Sequence, residues 1–273
     1  MEPTARLAVQ LAYAIVGAGV GVVVGVTSTG GGALLTPALL LLGVPPSISI
    51  GSDVLVASGM KLFGGGAYAF RRQVHWPTVW RLAAGSVPGA ALGIAILNRI
   101  PKQSLDSILR QGLGAVLVLA GVATLVRLLV RRGVEGKAMP GTAITVALGW
   151  VTGLLVSTTS IGSGSLLLCV LALFFPLAPQ TMVGTDLAHA LILSVVATIG
   201  HVAAGRVDWS VSAALLTGAI PGVLAGARLA DAVPQRVLRA GLALVLIGIG
   251  AQLSLFRSAA HRPVVAPVDG ERR

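Results

Sequence analysis

The chain has 273 residues, of which 55% are hydrophobic and only 11% charged, with a mean hydropathy of +0.91. A soluble domain carries about 25% charged residues, so 20 basic and 9 acidic side chains cannot cover one of this size. That excludes an ordinary globular enzyme, a nucleic-acid-binding domain and a disordered chain, and the net charge of +11 sits mostly in short clusters between apolar stretches, where it orients membrane spans and meets lipid headgroups.

In chain order, no Asp, Glu, Lys or Arg occurs from Leu7 to Ser52, nor again from Ala138 to Thr185. A bilayer core ~30 Å thick needs about 20 helical residues, so each block is about twice too long for one span. Each is expected to fold back on itself as a broken hairpin, over 7–44 and 141–176. The breaks are legible as Thr27-Ser28-Thr29-Gly30-Gly31-Gly32 and as Ser157-Thr158-Thr159-Ser160-Ile161-Gly162-Ser163-Gly164. Glycine costs a helix ~1 kcal/mol, and hydroxyls compete for backbone partners. The first hairpin is followed by expected helices over 47–70, 77–98 and 105–130; the second, after a linker over 133–140, by helices over 180–204, 209–230 and 235–256. A polar tail covers 257–273. The apolar start is too long for a cleavable signal and reads as a retained signal-anchor.

The chain is an internal duplication. A shift of 133 residues brings Pro46, Gly51, Asp53, Val74, Trp76, Gly85, Pro88, Gly89, Gly93 and Pro101 onto identical residues, and a shift of 132 overlays Gly30, Gly32, Leu34 and Leu35 on the second break. The repeats are 1–132 and 141–256. Five segments per half make the copies run in opposite senses, an inverted repeat; a single broken helix in place of each hairpin would make them parallel. Basic residues place Arg71, Arg72, Arg131, Arg132, Lys137, Arg228 and Arg236 in the cytoplasm. The expected fold class is thus an all-α polytopic membrane protein of two homologous halves. Glycines at every fourth position (Gly17, Gly21, Gly25; Gly85, Gly89, Gly93; Gly218, Gly222, Gly226) read as helix-packing stripes.

Irregular backbone survives in lipid only where protein or a water-filled cavity satisfies it. Glycine-rich backbone before an apolar helix offers free N–H groups and a partial positive charge to an anion. The expected substrate site therefore comprises Thr27, Ser28, Thr29, Gly30, Gly31, Gly32, Thr158, Thr159, Ser160, Gly162, Ser163 and Gly164, with Lys61 as a cationic wall. Buried ionisable groups are costly and usually functional: Asp53 and Asp186, at equivalent positions, with His189 and His201, are candidates for proton or ion coupling, His189 being one turn from Asp186 and able to share its proton. The two aspartates could equally cap their helices. Trp76 and Trp209 read as interfacial anchors. Cys169 permits no internal disulfide, no Cys, His and carboxylate cluster suggests a metal, and no cofactor or enzymatic centre is expected. The partners expected are a small anion and the bilayer, without nucleic acid, and a homo-oligomer is compatible with the sequence.

The run Ser28-Thr29-Gly30-Gly31-Gly32-Ala33-Leu34-Leu35 with Pro37, the following Gly51-Ser52-Asp53 and the paired cluster Gly162-Ser163-Gly164 resemble the TauE/SafE sulfite exporter family over roughly residues 10–255. The resemblance implies a bacterial inner-membrane carrier that exports small sulfur-containing anions, sulfite or organosulfonates, coupled to an ion gradient. The pattern departs from the family's at Ser28 and Ser160, where a leading glycine is usual, and at Ser163, which replaces the central one. A secondary transporter working by alternating access is the leading expectation. An anion channel is the alternative, and an intramembrane serine protease built on Ser163 or Ser165 with His189 or His201 is a remote third, since the first half has Gly31 and Ala33 at the serine positions.

Overall fold

The computed structural model describes residues 3–27, 31–70, 72–129, 138–229 and 235–255. Among these there are ten helices and no strand: α1 (Pro3–Thr27), α2 (Gly32–Leu41), α3 (Pro46–Phe70), α4 (Trp76–Arg99), α5 (Lys102–Leu129), α6 (Thr142–Thr159), α7 (Leu166–Phe174), α8 (Pro179–Ala203), α9 (Trp209–Leu229) and α10 (Gln235–Leu255). Seven of them contain stretches long and apolar enough to cross a membrane. The short ones, α2 and α7, are the second arms of the two interrupted blocks, with 10 and 9 residues. Their outward faces carry large apolar side chains such as Leu41 and Phe174, the pattern expected where lipid replaces water as the surrounding solvent.

Local chemistry sets the boundaries. After α2 the chain reverses at Gly43, whose φ of 85° is left-handed, while Val44 N–H reaches back to the Leu39 carbonyl at 3.0 Å. Pro45 and Pro46 then open α3. Helix α6 ends where Ser160 adopts φ 60°, and Gly162 (φ 146°) and Gly164 (φ 81°) carry the chain into α7. This interruption is shorter than its sequence suggests. Ser157, Thr158 and Thr159 stay helical because their hydroxyls donate back to the carbonyls of Leu154 and Leu155, at 3.1, 2.7 and 2.7 Å.

The glycine stripes are where helices touch. Gly17, Gly21 and Gly25 of α1 lie against the backbone of Leu215, Ala219 and Val223 of α9, so the two helices run in the same direction. Gly85 and Gly89 of α4 meet Val146 and Trp150 of α6, also in parallel. Two interfaces between equivalent helices are antiparallel. Gly114 of α5 meets Gly250 of α10 while Gly121 meets Ala243. Between α3 and α8, Gly51 faces His201 and Ser58 is 3.3 Å from Thr198.

Details recur at the 133-residue spacing. Asp208 accepts from Val211 N–H at 3.0 Å to cap α9, and His75 Nδ1 accepts from Thr78 N–H at 3.3 Å to cap α4. His75 N–H donates to Thr185 Oγ1 at 2.9 Å, and Asp208 N–H donates to Ser52 Oγ at 3.1 Å. Arg72 and Gly205 are both left-handed, with φ of 56° and 67°.

Candidate functional site

The two interruptions meet. Gly32, at the first turn of α2, packs directly on the Ser160 carbonyl and hydroxyl at the end of α6, so closely that a β-carbon there would overlap the Ser160 backbone. Gly31 lies under the Met60 methyl group and beside Val24. Ser28, Thr29 and Gly30 lie outside the described residues. Gly162, Ser163 and Gly164 are buried on the facing strand of irregular chain.

Lys61 of α3 enters this junction. It is buried, and its Nζ donates to Ser194 Oγ of α8 at 2.6 Å and to Ser163 Oγ of the second interruption at 3.0 Å. It forms no ion pair among the described residues. An ammonium carries three donors, so one N–H is without a hydrogen-bond partner among the described residues, and the charge meets Asp53 and Asp186 only at a distance. Ser194 is the residue 133 positions after Lys61.

Asp53 reaches the short arm of its block and Asp186 the interruption of its own. Thr36 Oγ1 of α2 donates to Asp53 Oδ2, and Gly164 N–H donates to Asp186 Oδ1 at 3.3 Å. In each the second oxygen, Asp53 Oδ1 and Asp186 Oδ2, is buried without a hydrogen-bond partner. Both carboxyls lie within electrostatic reach of Lys61, and Arg127 of α5 adds its charge near Asp186. At the start of α3, Ser47 N–H donates to Asp106 at 2.9 Å, while α8 opens at Pro179 without a side-chain cap.

Other expected members fall elsewhere. Thr27 Oγ1 donates to Val23 O at 2.7 Å, and Thr158 and Thr159 are turned onto their own helix, so their hydroxyl hydrogens are spent on backbone. His189 does not pair with Asp186: its Nε2 is 2.9 Å from Ser86 Oγ on α4. His201 Nε2 donates to Ser157 O at 2.8 Å. The imidazole Nδ1 of each is buried without a partner. Thr36, Ser86 and Ser194 complete the polar centre and escape sequence reading, because a hydroxyl in an apolar helix is common and only tertiary contact gives it a role. For Ser194 a signal existed, its place opposite Lys61 in the duplication. No group of three or more His, Cys, Asp or Glu able to hold a metal occurs among the described residues.

A bundle of span-length apolar helices and two interrupted blocks in contact define a polytopic membrane protein, with a buried cation at the junction. The comparisons carry the class further: among relatives, a probable membrane transporter protein of Bacillus subtilis (strain 168), YjnA, is 38% identical over 88% of this chain and 97% of its own. Another from the same organism, YunE, is 25% identical over 82% and 89%, and YfcA of Escherichia coli (strain K12) is 27% identical over 82% of each. The profile described as Sulfite exporter TauE/SafE matches residues 13–253, and the chain belongs to that family. It is therefore a membrane transporter by family, and its helices fit a multi-pass protein of the bacterial inner membrane. No solved structure matches it.

Proposed function

We propose that the protein is a secondary transporter, working as an exporter, of a small sulfur-containing anion such as sulfite or an organosulfonate, bound between the two interrupted hairpins. The observation that carries this reading is Lys61: a buried ammonium with no ion pair among the described residues, hydrogen-bonded to Ser163 and Ser194 at the point where Gly32 packs on Ser160. An unpaired buried charge is expensive, and an anion arriving among the hydroxyls and glycine amides of the breaks offsets that cost. The family's description as sulfite exporters supplies the substrate class.

The duplication adds the mechanism. In this reading the chain is two inverted halves, 1–132 and 141–256, exposing one central site to each side in turn. The antiparallel packing of α3 on α8 and of α5 on α10, which are equivalent elements, supports opposite senses for the halves. Lys61 bonding its own counterpart Ser194 supports a site on the axis that relates them, since a residue reaches its equivalent only there. Asp53 and Asp186, each with one unsatisfied buried oxygen, are the coupling carboxyls, with His189 and His201 as further buried titratable groups.

The test is binding of sulfite, thiosulfate, sulfoacetate, taurine and sulfate to the purified protein, beside counterflow of the anion that binds. At least one binds saturably, and Lys61→Gln weakens it about tenfold to a hundredfold, the worth of a charge-assisted hydrogen bond. No binding by any of the five, or an unaltered dissociation constant in Lys61→Gln, overturns the reading. Non-saturating current without counterflow would make the path a channel.

A further inference from the structure

Arg206 lies in the turn between α8 and α9, away from Lys61, yet it is only 8% exposed. Three contacts fix it. Its backbone N–H donates to His201 O at 2.9 Å, its carbonyl is seated against Gly51 of α3, and its Nη2 donates to Asn98 Oδ1 at the end of α4. Its Nη1 is buried with no hydrogen-bond partner. No carboxylate pairs with it among the described residues: Asp208, two positions on, accepts from Val211 N–H at its Oδ1 and from Ser212 Oγ at its carbonyl. A guanidinium so placed carries a donor and a charge with nothing to meet them, where such groups are normally paired. The adjoining His201, whose Nε2 hydrogen goes to Ser157 O, leaves Nδ1 as a buried acceptor that is also unmet. An oxyanion accepting from Nη1, and giving a hydroxyl or bound-water hydrogen to Nδ1, satisfies both.

Arg206 abuts the same helix, α3, that carries Lys61. Gly51, against which Arg206 sits, precedes Lys61 by ten residues on α3, roughly 15 Å along the axis. The Ser157–Ser160 segment, bonded to His201, lies alongside. The residue equivalent to Arg206 at the other end of the duplication is Gln73, which is neutral. We propose that Arg206, held by Asn98 and His201, is an oxyanion station at one mouth of the path, where a sulfite-, sulfonate- or phosphate-like group docks before or after Lys61. This rests on the transport reading above. A lipid headgroup phosphate shares the chemistry, and Trp209, 62% exposed three residues on, marks the lipid interface.

The experiment measures sulfite counterflow in right-side-out and inverted vesicles of phosphatidylcholine, with wild type, Arg206→Gln, Arg206→Lys and Lys61→Gln. Arg206→Gln raises KM about tenfold or more from one side only, with kcat within about twofold. Arg206→Lys restores part of the loss, and Lys61→Gln weakens transport from both sides. A KM change equal on both sides, or none, overturns the station. A change that appears only when phosphatidylglycerol is added assigns the group to lipid and overturns the station for solute. Thermal melting in rising sulfate reads the station without transport: wild type gains more than Arg206→Gln, and equal gains overturn it. Wild type that fails to exchange sulfite counts against the transport reading alone.

Discussion

At the scale of single residues the centre is built from a few charges in a very apolar chain. Asp53 has one oxygen bonded to Thr36 of α2 and Asp186 one bonded to Gly164 in the second break, and the other oxygen of each has no partner within hydrogen-bonding geometry among the described residues. A buried carboxyl oxygen that no described protein group satisfies is able to hold a proton, and the neutral acid avoids the cost of a buried charge. The groups facing them are Thr36, Ser160, Gly164, Lys61 and, beside Asp186, Arg127. Asn at either place keeps the shape and the accepting oxygen but cannot exchange a proton. Asp53→Asn and Asp186→Asn should therefore flatten the pH dependence of anion counterflow while the protein still inserts and purifies. A profile that keeps the wild-type slope in both variants removes them from the relay. Lys61 and these acids were legible because a charge in a membrane span is rare and needs a reason. Their hydroxyl partners were not, because Ser and Thr cost little in such helices and nothing local distinguishes Ser194 or Ser86 from a packing residue. The pairing expected between Asp186 and His189 follows from helical spacing alone, yet His189 is turned onto Ser86 of α4.

At the scale of elements, apolar runs bounded by proline, glycine and arginine give helices, and the all-α membrane class follows from that pattern with little ambiguity. The extent of the breaks follows less well. Hydroxyl runs in the second block remain helical through Thr159, since each hydroxyl can satisfy a carbonyl of the preceding turn rather than disrupt it. What the breaks require is a glycine at the crossing, and Gly32 against Ser160 is that point. Gly32→Ala should abolish anion binding, because its β-carbon cannot coexist with the Ser160 backbone and must push α2 off α6. Gly19→Ala is the control: nothing lies within 4 Å of a β-carbon there, so transport should be unaltered and α1 favoured by ~1 kcal/mol. Equilibrium binding on both purified variants, with melting temperatures alongside, decides the matter. Wild-type affinity in Gly32→Ala would mean that the junction is packing and nothing else.

At the scale of the whole molecule the proposed alternating access requires one chain to present one site to two compartments. Helix α1 of the first half lies on α9 of the second, and α6 of the second on α4 of the first, each pair in parallel, whereas the equivalent pairs α3 with α8 and α5 with α10 run antiparallel. A two-fold axis lying in the membrane plane produces this combination; an axis along the normal would leave equivalent helices parallel. The hydrogen bonds from His75 to Thr185 and from Asp208 to Ser52 repeat the same exchange between halves. In the inverted-repeat reading proposed above, equivalent turns open on opposite faces of the bilayer. Arg72 and Gly205, both exposed and left-handed, mark those turns. With the chain's one cysteine changed by Cys169→Ser, Arg72→Cys should react with a membrane-impermeant maleimide from one face of sealed vesicles and Gly205→Cys from the other. Left-handed backbone costs a side chain about 1–2 kcal/mol, which Arg72 already bears, so the Gly205→Cys variant loses stability slightly without losing its place. Labelling of both from one face would make the halves parallel, and a single pocket reached by inversion of one half against the other would no longer follow.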